Sequence, residues 1–173
     1  QSDNVYQVLK LPDCSEFGNL ERLKNEKEVV GIYISAHPLD DFKKEIELFK
    51  TLELNFLKDL KPLLKKTFFV AGIVNSVEHL EAKNGNLWGK FIIEDFKDQY
   101  EFKIFGEEYL KFRHFLIVDQ FVRVKILIRE GWTNRETGKV GDPRIQFIKF
   151  EMLQNTIRDN SEKITLTIDI NKI

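Results

Sequence analysis

Cysteine is almost missing from this sequence. Its 173 residues include a single cysteine, Cys14, which excludes an internal disulfide and any cysteine-rich zinc site and fits a reducing compartment. Long apolar runs are missing too, because the stretch at residues 29–34 is far shorter than the roughly 20 residues of a membrane-spanning helix. The opening QSDNVYQVLK has neither the basic start nor the apolar core of a secretory signal. We therefore expect no membrane partner.

Catalytic motifs are equally scarce. Glycine-rich phosphate loops and the nucleophile motif G-x-S-x-G are absent, and the histidines have no zinc-site spacing. The pairs Asp40-Asp41 and Glu94-Asp95 are compatible with magnesium, but adjacent carboxylates serve more simply as a helix cap or a turn. We predict no catalytic residue, no metal ligand and no cofactor in this chain. The three histidines are His37, His79 and His114.

The first third of the chain has helical periodicity after a loose arm. Leu20, Leu23 and Val30 recur near helical spacing and predict a helix over residues 19–34. This helix should stop near His37, because a proline ring disfavours the helical conformation of the residue before it. Asp40 is placed to cap a second helix, DFKKEIELFKTL, whose apolar residues recur on one face.

From residue 68 the period changes to two. Five β-branched or aromatic-rich segments predict strands at residues 68–79, 87–95, 99–105, 120–130 and 144–152. One helical pattern, GEEYLKFRHFLIVD, lies between the third and fourth segments. This order is typical of the five-stranded Greek-key barrel that binds oligonucleotides or oligosaccharides, the OB-fold. Gly72 fits the sharp bend that such a barrel needs in its first strand.

Three regions follow from these patterns. Residues 1–67 are predicted to form an arm and a helical connector, and residues 68–152 an OB-fold barrel. Residues 153–173 are predicted to be a linker, polar from Asn155 to Glu162, followed by the first strand of a truncated domain at residues 164–170. The fold class is therefore mainly β with an α-helical connector, and we expect the fragment to be a monomer.

Charge is distributed unevenly although the net charge is only −1. Between residues 121 and 149, seven basic residues stand against three acidic ones. This excess predicts a positive face for an anionic partner, and a solvated strand face is the alternative. The basic residues are Arg123, Lys125, Arg129, Arg135, Lys139, Arg144 and Lys149, and the acidic ones are Glu130, Glu136 and Asp142.

The alternation also predicts which side chains of the second and third strands face outward. Those expected outside are Trp88, Lys90, Ile92, Glu101, Lys103 and Phe105, and those expected inside are Gly89, Phe91, Ile93, Tyr100, Phe102 and Ile104. An exposed tryptophan beside lysines suits single-stranded nucleic acid, because the ring stacks on a base while the amines meet phosphates. Packing of Trp88 on a helical segment, or of Trp132 in its hairpin, is the alternative. The candidate contacts are Lys83, Asn84, Trp88, Lys90, Lys103, Arg123, Lys125, Trp132, Arg135, Lys139 and Arg144.

One segment resembles a known family. The pattern E-K-E-x-x-G-x-Y-x-S-x-H-P-L is matched from Glu26 to Leu39, and V-A-G-x-V and E-D are matched at residues 70–74 and 94–95. These motifs are similar to the C-terminal region of the alpha subunit of bacterial DNA polymerase III, a replicative C-family polymerase. Ala36 and Asp98 stand where that family often has glycine.

The resemblance implies a fragment of a cytoplasmic DNA-directed DNA polymerase. In the intact protein it implies magnesium as cofactor and the sliding clamp and clamp loader as partners. The fragment itself is expected to lack the catalytic residues and to bind single-stranded template DNA weakly, without sequence preference. The alternative is a structural module that packs on neighbouring polymerase domains, the clamp or the clamp loader. A stand-alone single-strand-binding barrel is a third interpretation.

Overall fold

The computed structural model describes residues 18–133 and 139–160, and the chain divides between Pro38 and Leu39 into two compact units. The first unit contains helix α1, Asn19–Val30. This helix starts where it was predicted but ends four residues early. Gly31 adopts a left-handed conformation with φ of 88° and donates its N–H to the carbonyl of Lys27. A glycine in this position terminates helices without steric cost, so Gly31, and not Pro38, ends α1.

The second unit begins with short helical segments. A 3₁₀ turn at Asp40–Phe42 leads into helix α2, Lys43–Phe49, and further 3₁₀ turns lie at Leu54–Lys58 and Lys61–Leu63. Neither Asp40–Phe42 nor α2 has a side-chain cap hydrogen bond. The predicted capping role of Asp40 is therefore wrong, because Asp40 lies inside the first turn and Phe42 precedes α2.

Five antiparallel strands form one sheet. They are β1 (Thr67–Glu81), β2 (Leu87–Glu94), β3 (Gln99–Phe105), β4 (Phe121–Arg129) and β5 (Arg144–Met152), in the order β3-β2-β1-β4-β5. Helix α3, Gly106–Phe112, lies between β3 and β4, and a 3₁₀ turn at Arg113–Phe115 follows it. The predicted mainly β fold, with five strands and a helix between strands three and four, is confirmed.

Strand β1 holds the sheet together because it pairs with two neighbours. Its first half pairs with β4 and its second half with β2, and the change of partner falls at Gly72 and Ile73. A Cβ on Gly72 would lie 2.2 Å from the carbonyl oxygen of Glu94. Only glycine permits so close an approach, as predicted from its place in this bending strand.

The sheet curves so that its edge strands share one core. Phe102 of β3 and Phe147 of β5 lie with ring centroids 5.8 Å apart, and both contact Phe91 of β2. No backbone ladder joins β3 to β5 within the described residues. Burial of each such side chain contributes roughly 1.5–3 kcal/mol. Leu54 and Leu57, from the segment before β1, belong to the same core.

Helix α4, Leu153–Asn160, follows β5 directly. The polar composition from Asn155 predicted a linker, but Leu153 and Thr156 are fully buried and α4 packs against α2, β4 and β5. The prediction failed because two buried side chains, those of Leu153 and Thr156, are enough to pack a short and otherwise polar helix against the domain. The strand predicted at residues 164–170 lies outside the described residues, and the proposed domain boundary at residue 67 stays a prediction.

Candidate functional site

A cleft of about 660 Å³ lies between β3 and the start of β5. It opens where these edge strands are not joined by a ladder, so backbone and side chains from both edges form its walls. Three of the predicted contacts, Lys103, Trp132 and Arg144, are brought together here from distant parts of the chain. The lining residues that matter most below are Tyr100, Glu101, Lys103, Phe105, Trp132 and Arg144.

Trp132 stands at the mouth of this cleft and is 77% exposed. Its carbonyl accepts the N–H of Gly141 at 3.0 Å, and Thr133 and Val140 form a bridge, so the two ends of the β4–β5 loop make a narrow stem. The guanidinium of Arg144 lies 4.2 Å from the centroid of the indole ring. A tryptophan so exposed is not a core residue, and its arginine partner orients it by a cation–π contact.

A second aromatic platform lies on the outer face of β2 and β3. Trp88 stacks on Phe105 with centroids 5.3 Å apart and an interplanar angle of 16°, and Phe105 is 58% exposed. The predicted alternation of both strands is confirmed, since Phe91 and Phe102 are buried while Trp88 and Phe105 face outward. Trp88 thus has a ring partner on the neighbouring strand β3.

The lysines of this outer face are compensated by carboxylates. Lys90 Nζ lies 2.8 Å from Glu78 and 3.8 Å from Glu101, and Lys103 Nζ lies 3.7 Å from Glu101. The hydrogen bond from Lys90 to Glu78 raises the pKa of Lys90. The outer face of β2 and β3 is therefore a charge ladder of alternating sign, Glu78–Lys90–Glu101–Lys103, and not a uniformly positive surface.

Arg123 does not belong to any exposed surface. It is 5% exposed, its guanidinium lies 3.0 Å from Glu151, and its Nε donates to the carbonyl of Phe49 at 3.2 Å. It also lies 3.8 Å over the ring of Phe69. Burial lowers the pKa of Arg123, and Glu151 opposes that effect. The predicted role of Arg123 in contacting nucleic acid is wrong, because α2 and β5 enclose its side chain.

The remaining predicted contacts fall outside the cleft or outside the described residues. Lys83 and Asn84 are exposed in the β1–β2 turn, where Asn84 accepts the N–H of Asn86. Lys125 lies on β4, 5.5 Å over the ring of Phe69. Lys139 lies in the β4–β5 loop, and Arg135 lies outside the described residues.

Tyr100 was predicted only as an inward-facing residue, but it also lines the cleft. It is partly buried against Phe102, with ring centroids 4.8 Å apart. Burial raises the pKa of Tyr100. The alternation correctly predicted that the side chain of Tyr100 faces inward. The curvature of the sheet, which the alternation does not predict, places this side chain at the cleft as well.

Titratable groups elsewhere have structural partners. His79 Nδ1 lies 3.0 Å from the hydroxyl of Tyr109, whose ring covers Gly89. Asp95, which was predicted as a turn residue, is buried and accepts the N–H groups of Leu54, Lys97 and Asp98. The part of the chain that the structure describes holds no cluster of three or more metal-binding side chains.

Residues 26–38 of the family motif form an internally bonded segment of the first unit. Glu26 accepts the N–H and the hydroxyl of Ser35. The ammonium of Lys27 lies 4.6 Å over the ring of Tyr33, which meets His37 edge-on at 5.0 Å. His37 therefore acts as an aromatic packing partner in this segment.

The fold and the cleft together define a five-stranded antiparallel domain with an aromatic- and arginine-lined groove between its edge strands. Comparison with known proteins then identifies its relatives. Over 123 residues, 70% of the chain, it is 36% identical to the DNA polymerase III subunit alpha of Borreliella burgdorferi. It is 30% identical over 61% of its length to that of Pseudomonas aeruginosa and 31% identical over 57% to that of Campylobacter jejuni. The chain belongs to the bacterial DNA polymerase III alpha subunit family, as a segment of such a subunit.

This segment is short compared with its relatives. The matched regions cover 10%, 9% and 8% of those three proteins. No family model matches the chain. The described helices include none that is long and apolar enough to span a membrane.

Proposed function

We propose that the five-stranded domain is a partly open OB-fold that binds single-stranded DNA weakly and without sequence preference. The observation that carries this proposal is Trp132, 77% exposed at the mouth of the cleft with Arg144 against its ring. An exposed ring stacks on any base, and stacking contributes about 1–3 kcal/mol per base. The cleft supports the proposal further, since its volume of about 660 Å³ lies between edge strands that are not joined by a ladder within the described residues.

Weak affinity follows from the charge ladder. A phosphate that approaches Lys90 or Lys103 must compete with Glu101, which lies within 4 Å of both ammonium groups. Surface ion pairs of this kind are worth about 0–1 kcal/mol, so the competition reduces binding without preventing it. Stacking, and not phosphate contact, then supplies most of the free energy on the β2–β3 face.

For the intact protein we propose the activity that the name of its relatives states, DNA polymerase. We propose that it acts in the cytoplasm during DNA replication. The sliding clamp and clamp loader are its proposed partners, and magnesium its proposed cofactor. The residues described here do not fit a magnesium site, because they form no converging carboxylate cluster. We propose that this segment is non-catalytic and contributes by holding the template.

Tryptophan fluorescence tests the binding proposal. The chain has two tryptophans, so Trp88→Phe leaves Trp132 as the reporter and Trp132→Phe leaves Trp88. Titration with a single-stranded oligodeoxynucleotide at low salt should quench Trp132, and added salt should weaken binding. Duplex DNA of the same length is the control ligand. Unchanged fluorescence in both variants, together with no binding by sedimentation or anisotropy, would refute the proposal.

A second candidate function rests on the first unit. Val29, Ile32 and Ile34 are 85%, 64% and 62% exposed, which is unusual for neighbouring apolar side chains. We propose that this surface packs against another domain of the alpha subunit. Ile32→Ser should lower the thermal stability of the intact subunit but leave this isolated chain unchanged. Equal effects in the two proteins would contradict the packing role.

A further inference from the structure

Two arginines face each other on neighbouring strands at the end of the sheet. Arg129, the last residue of β4, is the direct cross-strand partner of Arg144, the first residue of β5. Side chains of such partners project on the same face, with Cβ atoms about 4.5–5.5 Å apart. Like charges in this position destabilise a sheet, so an arginine pair here calls for an explanation.

Other cations of the same face have local compensation. Lys149, opposite Lys125, lies 2.7 Å from Glu151, and Lys125 lies over the ring of Phe69. Lys65 lies 2.9 Å from Glu130. Within residues 18–133 and 139–160, no carboxylate forms an ion pair with Arg129 or Arg144. Arg129 is thus the least compensated of these cations, and Arg144 has the ring of Trp132 as its partner.

The two arginines also line a depression of about 400 Å³, together with Lys65 and the carboxylate of Glu130. Three cations against one carboxylate give it a net positive charge. The Nε of Arg144 is buried and finds no hydrogen-bond partner among the described residues. Buried polar groups are normally paired, so this N–H donor is unusual, and an acceptor from outside the protein reaches it only if the side chain of Arg144 moves.

We infer that Arg129 and Arg144 form a phosphate-binding subsite for the backbone of a nucleic-acid strand. A phosphate group fits here because a guanidinium group can bind two of its oxygens through parallel hydrogen bonds. Its negative charge also offsets the repulsion between the two arginines. Arg144 lines both this depression and the cleft, so a strand whose base stacks on Trp132 reaches the subsite with a neighbouring phosphate. The inference rests on the proposed binding of single-stranded DNA in the cleft.

Arg129→Gln tests the subsite, because Arg129 is exposed and does not line the cleft. Lys44→Gln on α2 removes the same charge from an exposed position away from both depressions and is the matched control. Each is combined with Trp88→Phe and titrated with oligodeoxythymidine of about 12 nucleotides at several salt concentrations. We expect Arg129→Gln to lower the slope of log K against log salt by about 0.7, the value of one single-strand phosphate contact. Affinity at low salt should fall about threefold or more, with saturating quench of Trp132 unchanged.

The outcomes separate the subsite from the cleft. If Arg129→Gln binds with the slope of Lys44→Gln while Trp132 is still quenched, the subsite is refuted and the binding proposal stands. A loss of slope on Arg129→Gln, measured by anisotropy of a labelled strand, without any signal from Trp132 refutes binding in the cleft and with it the inference that rests on that binding. No binding by any variant refutes both. Inorganic phosphate is added at constant ionic strength, and if it displaces the strand at its own low concentration, the site is one for free anions and the inference fails.

Discussion

Glu26 accepts hydrogen bonds from both the backbone N–H and the hydroxyl of Ser35, nine residues later in the chain. The backbone contacts are 3.1 Å long to each carboxylate oxygen, and the hydroxyl contact is 2.9 Å. The bonds span Gly31, where α1 ends, and so connect the last turns of the helix to the segment that approaches Pro38. Glu26 and Ser35, two residues of the family motif, therefore stabilise the local structure of this segment.

The first prediction concerns pH. The backbone hydrogen bond from Ser35 is the main reason that the pKa of Glu26 lies below its usual value of about 4.3. A depressed pKa in the folded state means that this contact stabilises fully above the unfolded pKa and is lost as pH falls through the folded pKa. Glu26→Gln should therefore speed amide exchange of Ser35 at neutral pH. Glu28→Gln, on the exposed side of α1, is the control and should leave that exchange rate unchanged.

Glu101 is predicted to limit affinity for DNA. Replacing it with glutamine removes the charge shared by Lys90 and Lys103, which frees Lys103 for phosphate and leaves Lys90 paired with Glu78 alone. We expect affinity for a single-stranded oligonucleotide to rise about 2- to 5-fold, or about 0.4–1 kcal/mol, with a steeper salt dependence. Glu47→Gln on α2 makes the same change in net charge. Equal gains for the two variants would show that only total charge matters.

Arg123 is predicted to matter for folding alone. Arg123→Ala leaves the buried Glu151 with Lys149 as its remaining partner, which should cost about 3 kcal/mol in urea unfolding. Lys149→Ala removes the exposed partner of the same carboxylate and should cost less than about 1 kcal/mol. Salt dependence of DNA binding should be the same for folded Arg123→Ala and the unmodified chain. A weaker salt dependence in the Arg123→Ala variant would show that Arg123 does contribute to DNA binding.

Gly72 is predicted to tolerate no side chain. A Cβ there would meet the Glu94 carbonyl at 2.2 Å, so Gly72→Ala must push β1 and β2 apart. We expect a loss of about 3 kcal/mol or more in the free energy of unfolding. Gly141→Ala is the comparison, since its nearest neighbour would be Trp132 O at an ordinary 3.4 Å. Similar losses at both positions would contradict this explanation.

The strands were predictable because their outward and inward residues alternate over seven or more positions, as in β3, Gln99–Phe105. The predicted end of α1 was wrong because the apolar periodicity continues past Gly31 towards Pro38, whereas Gly31, a residue type that commonly ends helices, terminates α1. Helix α4 was missed because its burial depends on α2, some hundred residues earlier. The helix propensity of residues 153–160 alone does not predict a contact with α2.

The sequence predicted several of the residues that line the candidate site, but it did not predict how they are arranged. Trp132 and Arg144 were both singled out, but their cation–π contact is made beside a loop stem, closed by the Gly141–Trp132 hydrogen bond and the Thr133–Val140 bridge, that the sequence does not reveal. Arg123 was misassigned because strand alternation marks it as outward without revealing that α2 covers that side. The charge ladder was missed because Glu78, Lys90 and Glu101 come from three strands whose register is not written in the sequence.

Arg144 lines both the cleft and the depression beside Arg129, so we expect the two ends of the proposed site to depend on each other energetically. If a base stacks on Trp132 as proposed, it should restrict the rotamers of Arg144, and a phosphate next to Arg129 would then meet a guanidinium that is already oriented. Losses from Trp132→Phe and Arg129→Gln should therefore be non-additive in a double-mutant cycle. A strand too short to reach both ends would gain nothing from this cooperation, so the domain would discriminate between oligonucleotides by length.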